Sequence, residues 1–202
     1  MTDMSDMTLS PIVPDIATMN YAHETHYTDF PDPAIKHVLR GWIPDGIAKH
    51  DMRLGDLRVR NISTNTRDYF GGTKIAGNSI FVFELEELCI AHLGHLHHPL
   101  EREHLGALGK IDILLVPVDG SYTLDQDKMV EVINQIAPAV VIPMHYFGDY
   151  TLNQFLARLE GRRNIRHMKS PTIRFSRPSR AYNVVVVLHG DGLGPGMRDG
   201  GL

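Results

Sequence analysis

Residues 111–118 read IDILLVPV, an almost uninterrupted apolar run that decides the fold class of this chain. Apolar runs without alternation are typical of strands buried on both faces of a sheet. Residues 125–136 follow with apolar side chains at helical spacing, with Asp125 as the predicted N-cap. A second apolar run, AVVIPM, spans residues 139–144. Strand, helix and strand in this order predict a parallel pair of strands with a right-handed crossover.

Shorter patterns on both sides of this unit predict a mixed sheet. The runs 79–83 and 88–92 flank a short acidic turn and predict a β-hairpin. The remaining elements are predicted from alternation, apolar content and glycine or polar breaks. They are strands at residues 16–19, 37–40, 57–62, 172–175 and 184–188, a helix around 152–159, and a polar loop over 64–77.

Length and composition predict one globular domain. The chain has 202 residues, a net charge of -4 and a single cysteine. We expect a domain over residues 1–189 and a flexible, glycine-rich tail over residues 190–202. Cys89 lies within an apolar run and is expected to be a buried core thiol. One cysteine excludes an intrachain disulfide framework and is typical of a reducing compartment.

The distribution of charge and apolar residues limits the classes of partner. No basic patch is visible, so we expect no nucleic-acid binding. The N-terminal residues are acidic and carry no signal-peptide pattern, and no apolar run is long enough to span a bilayer. We therefore expect a cytoplasmic protein without membrane contacts that acts on a small molecule. A homo-oligomer is left open.

Histidine is concentrated at the predicted ends of strands. Four of the twelve histidines fall in residues 92–98, which read HLGHLHH, directly after a predicted strand. Residues 23–29 contribute two more, and His145 follows the strand at 139–144. Neutral imidazole is a common metal ligand, and a catalytic metal typically takes about three protein ligands. The pattern predicts a metal site, although a histidine-rich turn can also be solvated surface.

Several of these stretches resemble the second half of the metallo-β-lactamase fold. They are residues 90–94 (IAHLG), 111–120 (IDILLVPVDG), 122–125 (YTLD) and 141–146 (VIPMHY). The branch that they resemble includes ascorbate-6-phosphate lactonase and bacterial metal-dependent hydrolases. The resemblance implies an α/β protein, an αββα sandwich of mixed sheets, here with a truncated N-terminal part. It also implies one or two zinc or manganese ions and hydrolysis of a lactone, ester, amide or phosphodiester.

The first ligand motif of this family, His-x-His-x-Asp-His, is only partly kept. Its counterpart is identified as residues 23–30, which read HETHYTDF. His23, His26 and Asp29 are retained with altered spacing, and Phe30 stands where the last histidine is expected. In this alignment Asp29 is the candidate general base that orients the attacking water.

The later ligands are also changed. Arg67 stands where the family has a ligand histidine, and His95 replaces the bridging aspartate, whereas His145 matches the last ligand. These replacements remove a negative charge and add a positive one, which disfavours two divalent ions in one cleft. The expected site is therefore mononuclear. Its zinc or manganese ligands are drawn from four histidines, namely His23, His26, His95 and His145.

Three hypotheses follow. The favoured one is a metal-dependent hydrolase with a rebuilt site, in which metal-activated water attacks a small ester, lactone or phosphoester. The second is a non-catalytic member of the family that acts as a binding or scaffold module. The third is an anion-binding protein without a metal. Arg67, His98 and Tyr146 are the candidate substrate- or anion-binding residues.

Overall fold

The computed structural model describes residues 1–7, 12–68, 70–175 and 182–189. Ten strands and three helices are formed in these ranges. In chain order they are β1 (Ile16–Met19), β2 (His37–Arg40), β3 (Asp51–Leu54), β4 (Leu57–Arg67), β5 (Thr73–Leu85), β6 (Leu88–His92), α1 (Arg102–Leu108), β7 (Ile113–Pro117), α2 (Gln126–Ile136), β8 (Val140–Met144), α3 (Asp149–Leu159), β9 (Asn164–His167) and β10 (Val184–Val187). The predicted tail over residues 190–202 lies outside the described residues.

Eight strands form one mixed sheet, as predicted. Their order is β3-β4-β5-β6-β7-β8-β10-β9, while β1 and β2 pair in a separate two-stranded sheet. The pairs β3–β4, β4–β5 and β5–β6 are antiparallel. From β6 onward, the neighbouring strands β6, β7, β8, β10 and β9 run parallel. The predicted hairpin of β5 and β6 is confirmed. The parallel pair of β7 and β8 across α2 is confirmed as well.

Alternation along the strands divides the core between the two faces of the large sheet. In β5, Ile80 and Val82 join the core that packs against the helices. Phe81 lies between them on the opposite face, where it packs with Ile16 of β1 and Leu39 of β2. The period of two in side-chain direction along a strand explains this division. The two-stranded sheet therefore covers the part of one face that β4 and β5 form, and the helices cover the other face.

The end of β1 is fixed to the large sheet by one side chain. Asn20 is fully buried, and its side-chain amide donates a hydrogen bond to the carbonyl oxygen of Ser79 (2.8 Å). The Ser79 amide donates in return to the carbonyl oxygen of Asn20 (3.0 Å). The loop that follows β1 is thus held at the same edge as the loops that follow β6, β7 and β8.

Two sequence-based expectations about elements are wrong. Residues 64–77 were expected to be a loop, but most of them extend β4 and β5 into a long hairpin. Thr64 and Thr66 are buried in it, and threonine is a β-branched residue that favours strands despite its polarity. Residues 172–175 form no strand, and Ile173 and Phe175 instead pack on the sheet from outside it. The edge strand on this side of the sheet is β9.

The helical predictions are confirmed. Helix α2 begins after Asp125, whose carboxylate accepts hydrogen bonds from the amides of Asp127 and Lys128. An aspartate at this position satisfies amides that have no partner within the helix. Helix α3 extends to Leu159, as expected, and begins slightly earlier than predicted. No helix in the described parts of the chain is both long and apolar enough to cross a membrane.

Candidate metal centre

Three histidines from three separate loops meet at one edge of the large sheet. His26 follows β1, His95 follows β6 and His145 follows β8. Each offers a ring nitrogen, and these atoms all lie within 4.8 Å of one another. The ring centroids are 5.0 Å apart for His95 and His145, and 5.3 Å from His26 to each of them. Two imidazole nitrogens bound to one ion at about 2.0–2.1 Å lie at most about 4.2 Å apart, so small side-chain shifts would bring the three onto one ion.

His145 is oriented by a buried carboxylate. Its backbone lies in the left-handed region (φ 54°), and its Nδ1 lies 2.9 Å from Oδ2 of Asp119. Donation from Nδ1 to Asp119 leaves the lone pair on Nε2, which is the arrangement of a metal-binding histidine with a carboxylate partner. The Asp119 side chain is 1% exposed and lies just beyond the end of β7.

Asp119 stays ionised because its hydrogen bonds outweigh the cost of burial. Burial alone would raise the pKa of this carboxyl, but donation from His145, Thr123 and the Ser121 amide holds the pKa well below its usual range. The Tyr122 amide donates to the same carboxylate (2.6 Å). Asp119 lies in the turn that follows β7. Its role as the support of His145 was missed.

His26 also has a carboxylate partner, Asp3. Its Nδ1 lies 3.3 Å from Oδ2 of Asp3, and the same oxygen lies 3.7 Å from Nε2 of His92. Burial opposes ionisation of Asp3, but the charge of His92 and the hydrogen bond from His26 lower its pKa overall. His92 itself is a structural residue, because its Nδ1 accepts a hydrogen bond from the Gly94 amide (3.1 Å). Asp3 was not predicted from the sequence.

His95 is the most buried of the three, at 8% exposure. Burial, and then the proximity of His145 and His26, lower its pKa to about 3, so the ring is neutral near neutral pH. Within the described residues its Nδ1 is buried without a hydrogen-bond partner. Such groups are rare in folded proteins. The neutral His95 imidazole, with one unpartnered nitrogen and two further imidazoles beside it, fits a divalent metal ion.

Gly94 permits the turn that presents His95. It has φ 59°, and a Cβ atom there would lie 2.5 Å from Oδ1 of Asn78 and 2.7 Å from Cβ of Asn20. Asn78 Oδ1 is also the acceptor of the His95 amide (2.8 Å). Glycine is required here both by the backbone conformation and by the close approach of two buried asparagines.

We expect Gly94→Ala to lower the free energy of unfolding by roughly 2–4 kcal/mol, since it adds both strain and overpacking. Gly106→Ala is the matched control, because Gly106 lies inside α1 with no atom near its virtual Cβ. That control should be neutral or stabilising by up to about 1 kcal/mol. Urea unfolding of both variants measures the difference. Equal effects at the two sites would contradict the role of Gly94.

His23, the remaining predicted ligand, and Asp29, the predicted general base, are not in the three-histidine group. His23 is exposed, its Nδ1 lies 2.8 Å from the Thr25 hydroxyl, and its ring lies 6.2 Å from that of His26. The side chain of Asp29 is 65% exposed, and its carboxylate lies 3.6 Å from Arg40. The structure thus pairs Asp29 with a cation away from the three histidines. Its role as a general base stays a prediction.

The candidate anion-binding residues are not in the three-histidine group either. Both ring nitrogens of His98 are engaged, one by the Asn65 amide (3.0 Å) and one by the carbonyl oxygen of Pro99 (2.7 Å). Tyr146 is half-buried and packs against the core beneath the helices. Arg67 is exposed at the end of β4. An anion-binding role for Arg67, His98 and Tyr146 therefore stays a prediction.

The structure also changes the alignment of the first ligand motif. Because β1 ends at Met19, the loop after it contains residues 21–26, which read YAHETH. This stretch has the spacing of His-x-His-x-Asp-His without any insertion. Tyr21 and Thr25 replace the first histidine and the aspartate. The last histidine is His26, which is the one that joins His95 and His145. Keeping the motif spacing fixed would have shown this register in the sequence.

Comparison with known proteins shows the family of this chain. The family model described as Beta-lactamase superfamily domain matches residues 2–145. A UPF0173 metal-dependent hydrolase of Thermoplasma acidophilum is 38% identical over 92 residues, 45% of this chain and 40% of that protein. This chain thus spans less than half of that relative. A UPF0173 protein of Pyrococcus furiosus is 28% identical over 169 residues, 74% of this chain and 75% of that protein.

A solved structure from Thermotoga maritima, described as a Zn-dependent hydrolase of the metallo-beta-lactamase superfamily, has the same fold. It superposes with a TM-score of 0.62 and 25% identity over 89% of this chain and 85% of that one. The family model covers most of the chain, and the structural match covers 89% of it. The chain therefore belongs to the beta-lactamase superfamily domain family and has the metallo-β-lactamase fold.

Proposed function

We propose that this protein is a metal-dependent hydrolase whose single ion is held by His26, His95 and His145. The observation that carries the proposal is the convergence of their ring nitrogens to within 4.8 Å of one another. The names of its relatives support the reaction class, since they include a metal-dependent hydrolase and a Zn-dependent hydrolase. Three protein ligands leave a coordination position for water or substrate, as catalytic zinc sites do.

The residues around the site support one ion and not two. Tyr21 and Arg67 stand in place of two ligand histidines, and His95 replaces the carboxylate that would bridge two ions. The centre therefore lacks the anionic ligands that would offset two divalent charges. Its donor set consists of three imidazoles, and imidazole suits zinc, whereas carboxylate and water ligands suit manganese. We propose zinc as the resident ion.

The protein's own residues prepare the ligands and the surroundings of the centre. Asp119 and Asp3 fix the ring orientation of His145 and His26. Burial of His95 keeps its imidazole neutral and excludes water from that side. The His26 and His145 side chains keep 12% and 16% of their surface exposed, so a small substrate can reach the centre. A bound zinc ion would supply Lewis acidity and a nucleophilic water near neutral pH. A small ester, lactone or phosphoester is the proposed substrate.

Metal content and hydrolysis of model substrates test this proposal together. Purified protein should contain about one equivalent of zinc, the stoichiometry of a three-ligand site. Chelator treatment should abolish hydrolysis of p-nitrophenyl acetate, a lactone or bis-p-nitrophenyl phosphate, and zinc should restore it better than manganese. Saturating zinc at about 100 times its Kd should stabilise the apoprotein by about 2.7 kcal/mol.

The outcomes separate the alternatives. Failure of zinc and manganese to bind the apoprotein would overturn the hydrolase proposal. Thermal stabilisation by phosphate instead, lost in Arg67→Ala, would favour an anion-binding protein. Stoichiometric zinc without hydrolysis of any substrate class would favour a non-catalytic binding module.

A further inference from the structure

Two aromatic side chains beside the metal centre are largely exposed. Phe147 is 56% exposed and Tyr122 is 63% exposed. The Phe147 ring lies 5.2 Å from the His145 ring, centroid to centroid, at 68°. Tyr122 meets Phe147 edge to face, with centroids 5.9 Å apart at 83°. These two residues, here named the aromatic ledge, form a continuous surface that begins at one of the three histidines.

The aromatic ledge is fixed to the same support as His145. The Tyr122 amide donates to Oδ1 of Asp119 (2.6 Å), while Oδ2 of that carboxylate accepts from His145. Phe147 follows His145 by two residues and precedes Gly148, the residue before α3. Asp119 thus positions both Tyr122 and His145. Phe147 lies in the short segment between His145 and the start of α3.

We infer that the aromatic ledge binds an apolar, preferably aromatic, group of the substrate next to the bond that is hydrolysed. The inference rests on the proposed hydrolase function and adds the class of substrate. Large apolar side chains exposed beside a polar centre are typical of ligand sites, where apolar walls bind and a few polar groups orient. Offset or edge-to-face packing gives an aromatic ligand group more binding free energy than burial of its apolar area alone.

Two hydroxamates test the ledge without turnover. Acetohydroxamate and benzohydroxamate chelate a metal through the same oxygen atoms and differ in a methyl or a phenyl group. Isothermal titration of the zinc-loaded protein gives the ratio of their Kd values. We expect Phe147→Ala and Tyr122→Ala each to reduce the preference for benzohydroxamate by roughly five- to tenfold, the effect of losing one aromatic contact. Acetohydroxamate affinity should stay unchanged.

A matched control and distinct outcomes make the test specific. Phe30→Ala removes another exposed aromatic side chain (88% exposed) and should leave the Kd ratio as in the parent protein. Phe147→Leu, which keeps an apolar side chain, should give an intermediate ratio. The same ratio in the parent, Phe147→Ala and Tyr122→Ala would overturn the ledge while leaving the metal centre intact. Failure of both hydroxamates to bind the zinc-treated parent would overturn the hydrolase proposal itself, and the ledge with it.

Discussion

His145→Ala is expected to reduce bound zinc from about one equivalent to a small fraction after dialysis, and hydrolysis with it. The change removes one of three ligand nitrogens. It also leaves the Asp119 carboxylate buried without its principal partner, which costs further stability. Inductively coupled plasma mass spectrometry of the dialysed protein measures the metal, and circular dichroism verifies the fold.

His167→Ala is the control for this prediction. His167 is an exposed residue of the edge strand β9, two strands away from β8 in the sheet and outside the three-histidine group. That variant should retain zinc and activity as in the parent protein. Stoichiometric zinc in His145→Ala would show that the ion, if one is bound, lies elsewhere.

Asp119→Ala is expected to weaken zinc affinity by about 10–100-fold, the range measured when the carboxylate partner of a metal-binding histidine is removed. Without Asp119 the His145 ring loses its fixed tautomer and orientation. The zinc affinity of Asp119→Asn should lie between those of the parent protein and Asp119→Ala. The asparagine amide oxygen still accepts a hydrogen bond from His145 Nδ1, whereas the negative charge is lost. Competition with a chromophoric zinc chelator measures the Kd values.

The effect of Asp119→Ala on zinc affinity must be separated from its effect on the stability of the fold. Asp119 also accepts hydrogen bonds from Thr123 and neighbouring amides, so its removal destabilises the metal-free protein as well. Asp125→Ala removes the N-cap of α2 and should cost roughly 0.5–2 kcal/mol of folding free energy. Because Asp125 does not contact His145, zinc affinity should be unchanged in that variant. Equal zinc affinities of Asp119→Ala and Asp125→Ala would refute a specific role for Asp119.

The elements around α2 could be predicted because their signals are local. An apolar run, an aspartate cap and a second apolar run each depend on neighbours in the sequence. The long β4–β5 hairpin could not be predicted in this way. Its distal half contains Thr64 and Thr66, which pair with Asn78 and Lys74 of β5 and are buried although they are polar. Polar residues in such a segment resemble a loop until their partners are known.

The site shows the same division. Histidines at strand ends and the His-Leu-Gly stretch indicated His95 and His145 as ligand candidates, because residue chemistry is visible in the sequence. Asp3 and Asp119 were missed, since a carboxylate that supports a histidine is recognised only by its position. His26 was grouped with His23 and Asp29 by proximity in sequence. The structure selects His26 alone for the three-histidine group.

The residue types and their order in the sequence predicted buried parallel strands, histidine-rich loops at their ends and the replacement of a ligand by Arg67. The register that places Tyr21 at a ligand position came only with the structure. The tertiary structure decided which side chains meet. Parallel strands align their carboxyl ends, and Asn20 fixes the loop after β1 at that edge. Positive φ at Gly94 and His145 then turns two rings toward His26. Three distant histidines converge only because register, turn geometry and burial act together.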